Sequence, residues 1–176
     1  MTSTVLMPYL VYLMTVNASF NTFYNLNREN IKCMADTIYH ESRGESINGQ
    51  YAVASVVLNR VKSEKFPKSI CAVTKQKAHV NGREICAFSW YCENKKVTLD
   101  SPLSAPTTDI AKQYKQSIII SVLALTGKLK DVTNGATFFY NPNLCNPSWA
   151  SNMKITVVYG NHVFLKEPAK KPYNVT

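Results

Sequence analysis

Two apolar stripes at helical spacing, joined by a short polar stretch, constrain this chain more than any other feature. Ile31, Met34, Ala35 and Ile38 make the first, and Val53, Ala54, Val57, Leu58 and Val61 the second. Intervals of three and four residues put side chains on one face of a helix, so these stripes are core. The first helix is read from an N-cap at Asn27, with Arg28 and Glu29 in its first turn, to Gly44, a residue suited to a left-handed C-cap. Ser46 to Asn48 then form a turn and Gly49 to Lys62 the second helix, with Gln50 and Asn59 as its polar exceptions.

The stretch between the stripes, Thr37 to Gln50, reads TIYHESRGESINGQ and holds Glu41 in the last turn of the first helix. Helix carbonyl ends disfavour negative charge there, and burial beside an aromatic such as Tyr39 desolvates the carboxylate, so both push its pKa up. Arg43 opposes this if it folds back. A carboxylic acid kept protonated near neutrality is what cleavage of a glycosidic bond needs; the alternative is a solvated glutamate at a helix end.

Further along, Ser69 caps a short helix to Gln76. Periodicity is lost between Lys77 and Lys96, where Asn81-Gly82 signals a turn and an irregular hairpin is read as carrying Phe88, Ser89 and Trp90. Thr107 or Thr108 caps a long helix to about Leu125, with Ile110, Tyr114, Ile118, Val122 and Leu125 along its buried face and Gly127 closing it. Ala136 to Tyr140, Ile155 to Val158 and His162 to Leu165 have strand content, with Gly160-Asn161 turning between the last two. The fold class is therefore α+β, mainly helical, with a small β-hairpin region. Its parts are an apolar N-terminal segment (1–27), one domain (28–166) and a basic Pro/Lys tail (167–176).

The formal charge of +9 attracts polyanions, among them nucleic acid, anionic lipid and bacterial wall polymers, without choosing between them. The lysines lack the aromatic interleaving of a nucleic-acid module and read as solvated surface, so no specific nucleic-acid partner is expected. The apolar run from Val5 to Val16 is too short for a stable membrane span. Val16-Asn17-Ala18 offers a signal-peptidase site without the usual basic flank, and a packed helix is the other reading. The five cysteines leave at least one thiol unpaired within the chain, and Cys86 and Cys92 are spaced for a local bridge. No spacing suggests a metal site, and no cofactor is expected.

Glu41, Gly44 and Glu45, then Gly49, Gln50, Ala52, Val53 and Ala54, then Asn59, Arg60 and Val61 form an ordered series. Phe88-Ser89-Trp90, Phe138 to Pro142, Trp149 and Gly160 to Phe164 continue it, over about residues 30 to 166. The series resembles the spore-cortex-lytic cell-wall hydrolase family, SleB/CwlJ-like. One departure is Ala87, where the family pattern has glutamine before Phe-Ser. The resemblance implies a lysozyme-like domain that cleaves the bond between N-acetylmuramic acid and N-acetylglucosamine, by lytic transglycosylation or by hydrolysis, in the bacterial envelope or outside the cell. Phage lysis, wall penetration and bacterial wall remodelling all fit it.

On that resemblance Glu41 is the catalytic acid. Glu45 is either a second carboxylate or a turn-ordering group paired with Arg43 or Arg60, the latter favoured. Gln50, Ser89, Trp90, Tyr140 and Asn141 are the expected sugar-binding residues, Phe88, Phe138 and Trp149 are assigned to core, and His162 to a structural hydrogen bond. The implied partners are peptidoglycan glycan strands and anionic wall polymers. Two rivals remain: a cysteine amidase or endopeptidase using Cys86 or Cys145 with His162 as base, and a wall-binding module without catalysis.

Overall fold

A computed structural model describes residues 6–80, 82–95 and 108–168. The first helix, α1 (Leu6–Ser42), runs unbroken through Asn27, whose side-chain amide donates to the Phe23 carbonyl at 2.9 Å. Asn27 is thus an interior residue and not a cap, because the preceding residues continue the helix and already satisfy its backbone. Nor is Gly44 left-handed: α1 closes through bonds from Arg43 N to Tyr39 O and from Glu45 N to Ser42 O. The next helix starts so soon that the chain has no room for a Schellman exit. Ser46 caps α2 (Ile47–Lys62), its side chain accepting from Gly49 N, so α2 begins two residues earlier than read.

Ser69 and Thr108 cap α3 (Ile70–Thr74) and α5 (Asp109–Leu125) in the same way. Between them, β1 (Lys77–Val80) and β2 (Arg83–Cys86) form a regular antiparallel hairpin whose turn includes Gly82 at φ +74°. Phe88, Ser89 and Trp90 lie beyond this hairpin, at the start of the short helix α4 (Ser89–Cys92), which the Cys86–Cys92 disulfide ties back to β2. The last three strands, β3 (Phe138–Tyr140), β4 (Lys154–Tyr159) and β5 (His162–Lys166), form one antiparallel sheet in the order β3-β5-β4. A 3₁₀ turn, Ser148–Asn152, precedes β4.

Helix α2 is central because its small residues Ala52 to Val57 allow close approach on both sides. Ala54 and Val57 pack on Met34 and Ile38 of α1, Val73, Phe88, Trp90 and Ile120, while Ala52, Val53 and Val56 pack on Ala136 and Phe164 of the sheet. Tyr114 and Ile118 of α5 close over Ile31, Ala35 and Tyr39. Ile110, read as core, is exposed on the first turn of α5. A second disulfide, Cys33–Cys71, fixes α3 to α1, and Cys145 is free and exposed. Among the described residues no helix is long and apolar enough to cross a membrane. Asn81, Thr107, Lys96 and the tail from residue 169 lie outside the described residues.

Candidate active site

Glu41 sits at the end of α1, half-buried, and its carboxyl is pushed up to about 7. Desolvation is the largest cause and the charge of Glu93 adds to it, while Arg60 and Lys95 pull the other way. Half of such a group is protonated at neutral pH, the condition for a general acid. Neighbouring His40 stacks its ring on Trp90 at 5.9 Å, and its pKa is lowered, chiefly by burial.

Arg60 sits on α2 with only 7% of its surface exposed. Its Nε donates to the Thr137 carbonyl at 2.7 Å, and its guanidinium lies 5.0 Å from the Phe88 ring, 5.2 Å from Phe66 and 5.7 Å from Phe138. Burial brings its pKa down to about 10, against the opposing pull of Glu41. Arg60 is also part of the wall of a cleft of about 350 Å³ that runs beneath the β1–β2 hairpin past Phe138, Phe139 and Trp149. A second cavity of about 360 Å³ is bounded by Trp90, Tyr91 and Lys95. Glu41 is on the described wall of neither, but a charged residue from each, Arg60 and Lys95, acts on it.

The Glu45 carboxylate turns away from Arg43 and Arg60 and crosses to the β4–β5 turn. It accepts from Asn161 Nδ2 at 3.0 Å and from Asn161 N at 3.3 Å, with His162 Nδ1 3.9 Å away. Gly160, at φ +55°, packs so closely on this carboxylate that any side chain there would collide with it. Gln50 donates to the Glu45 carbonyl at 3.2 Å, so both residues order the α1–α2 turn. His162 is buried and its pKa lowered, mainly by desolvation, but its Nδ1 has no hydrogen-bond partner, so the expected structural hydrogen bond is not made there: the ring instead packs edge-on against Phe139 at 5.3 Å.

Of the expected sugar-contacting side chains, Ser89 is exposed and hydrogen-bonds Glu93, whereas Trp90 is 5% exposed and spends nearly all its surface on the core. Trp90 is therefore no open stacking platform. Tyr140 ends β3 half-buried, edge-on to Trp149 at 5.9 Å, and the Asn141 side-chain oxygen accepts from Asn143 N at 2.9 Å. Phe88 is core as expected, but Trp149 is 39% exposed and Phe138 half-buried, because both line the cleft beneath the β1–β2 hairpin. The sequence reading did not single out Arg60, Glu93 and Trp149 as site residues. The signals were an arginine between Leu58 and Val61 in an apolar stripe and the place of Arg60 and Trp149 in the ordered series.

Cys86 is in a disulfide and cannot be a nucleophile. Glu29, Cys33 and Cys71 cluster within 4.8 Å, but the two sulfurs are bonded to each other and offer no thiolate to a metal.

A family profile described as Cell Wall Hydrolase matches residues 44–165, beginning just after Glu41. The chain belongs to this cell wall hydrolase family. A spore cortex-lytic enzyme of Bacillus cereus is 29% identical over 151 residues, covering 85% of this chain and 49% of that protein. One from Bacillus subtilis (strain 168) is 43% identical over 139 residues, covering 78% of this chain and 38% of its own length. The chain thus spans about half, or less, of these curated relatives. Among solved structures, the catalytic domain of the germination-specific lytic transglycosylase SleB from Bacillus anthracis superposes with a TM-score of 0.58 at 28% identity, covering 78% of this chain and 93% of that one. The fold is lysozyme-like, as the sequence resemblance implied.

The perturbed acid has a consequence for stability. Below about pH 4.5 Glu41 is neutral folded or unfolded and contributes nothing; as pH rises to about 7 only the unfolded chain ionises, so stability falls, and above that the loss is constant at about 3 kcal/mol. Glu41→Gln removes this penalty. Its melting temperature should exceed the wild type's at pH 8 and match it at pH 4, measured by calorimetry; equal differences at both pH values count against a perturbed Glu41.

Proposed function

We propose that this protein is a peptidoglycan-cleaving glycosidase that acts as a lytic transglycosylase. The observation that carries the reading is Glu41, an acid held protonated near neutrality in a chain similar to the SleB catalytic domain. Glu41 gives its proton to the oxygen linking N-acetylmuramic acid to N-acetylglucosamine, and the C1–oxygen bond breaks through an oxocarbenium-like state. The muramic C6 hydroxyl then bonds to C1 and returns its proton to Glu41. The product is a 1,6-anhydro sugar, and no water, metal or cofactor enters the balance. Glu45, already engaged by Asn161, serves the turn in this scheme and not the reacting sugar.

Exposed Trp149 beside Tyr140 supports a stacking surface for apolar sugar faces, with Asn141 and Ser89 as polar contacts. The site of action is the bacterial envelope or the medium around it, and the positive charge favours anionic wall polymers. Digestion of purified peptidoglycan followed by mass analysis tests the reaction: anhydro ends are expected, and reducing ends carrying added water would make the enzyme a hydrolase. Cys145 is the remaining candidate for thiol catalysis. Its alkylation should leave fragment release unchanged in the same digestion; loss of activity would restore the cysteine mechanism.

A further inference from the structure

Arg60 is built in a way that stability alone does not explain. Its Nη1 is buried without a hydrogen-bond partner, a state that costs stability, and among the described residues it makes no ion pair within 4.0 Å. Yet it cannot swing out to water: Nε is pinned to Thr137 and three phenylalanine rings hold the guanidinium plane. A buried cation whose Nη1 has no partner, acting on Glu41 but not bonded to it, suits a charge that appears only during turnover.

We propose that Arg60 is a positioning residue that acts through Glu41, its fixed cation stabilising the carboxylate that exists after Glu41 has protonated the bridging oxygen and before the C6 hydroxyl returns a proton. The inference rests on the reading of Glu41 as acid and base. Direct pairing would hold Glu41 ionised and remove the acid; complete separation would leave the buried carboxylate uncompensated. The other charges that act on Glu41 are Glu93 and Lys95, beyond α4. Glu93 and Lys95 are exposed, paired with each other and opposite in their effect on Glu41, that of Glu93 being the larger, and Glu45 is taken up by Asn161. Arg60 is the buried positive charge among them.

The test compares wild type, Arg60→Met, Arg60→Gln and Arg60→Lys for cleavage of soluble glycan fragments between pH 4.5 and 9, with Glu41→Gln as reference and circular dichroism to confirm folding. Either neutral variant should lower kcat by about 10- to 100-fold. It should also move the alkaline limb of kcat/KM upward by about one pH unit, because Glu41 loses the charge that favours its ionised form. Arg60→Lys should keep the limb in place and recover most of the rate. Arg60→Gln retains a donor for Thr137 and carries the comparison if Arg60→Met does not fold. An alkaline limb unmoved in the folded neutral variants, with Glu41→Gln inactive, would overturn the role of Arg60; an active Glu41→Gln would overturn the reading of Glu41 beneath it.

Discussion

Glu41→Gln should slow glycan cleavage by ~10²- to 10⁴-fold or more while leaving the fold in place. Glutamine matches the shape of the acid and can still donate a hydrogen bond, but it has no proton to transfer and none to take back. Both halves of the proposed reaction therefore fail together, and kcat should fall with little change in KM. The end of α1 does not depend on the carboxyl, since Ser42 Oγ bonds the Ile38 carbonyl at 2.8 Å and Arg43 N bonds the Tyr39 carbonyl. Fragment release from purified peptidoglycan, with fold checked by circular dichroism, measures the effect. A variant that keeps a tenth or more of the wild-type rate, on the scale of general-acid contributions, would end the role assigned to Glu41.

Removing the Cys33–Cys71 disulfide should destabilise the domain by about 4 kcal/mol. The bridge closes a sequence separation of 38, and the entropy withdrawn from the unfolded chain grows with loop length. That loop contains Glu41, the α1–α2 turn, all of α2 and the cap of α3, so it encloses the end of α1 and the helix that carries Arg60. Cys86–Cys92, at a separation of 6, should contribute about half as much by the same reasoning. Urea unfolding of Cys33→Ser/Cys71→Ser against Cys86→Ser/Cys92→Ser measures both, and a smaller loss for the longer loop would point to residual structure in the unfolded chain instead.

Local features were legible because the groups that decide them are a few residues apart. Ser69 and Thr108 each cap a helix by accepting an N–H three residues on, and Gly82 and Gly160 turn two hairpins with positive φ; Ser46 caps α2 in the same way but is read from the sequence as part of a turn. The misreadings at Asn27 and Gly44 are of one kind. Each residue is a good helix signal on its own, but α1 had already started before the first, and α2 followed too closely for the second. Trp149 was assigned to core on its size, and what decides its exposure is the cleft beneath the β1–β2 hairpin, some 60 to 70 residues earlier in the chain.

By itself, then, the sequence determined the helical stripes, the caps of α3 and α5, the two turns, a mainly helical α+β class, and through an ordered series of motifs the family, with Glu41 as its candidate acid. Tertiary structure alone decided how that acid behaves. Glu45 finds Asn161 across a separation of 116, and Glu41 receives its field from Arg60 and Glu93 on other elements. Periodicity and caps report neighbours along the chain, whereas the ionisation of a carboxyl depends on burial and on charges that only folding brings near.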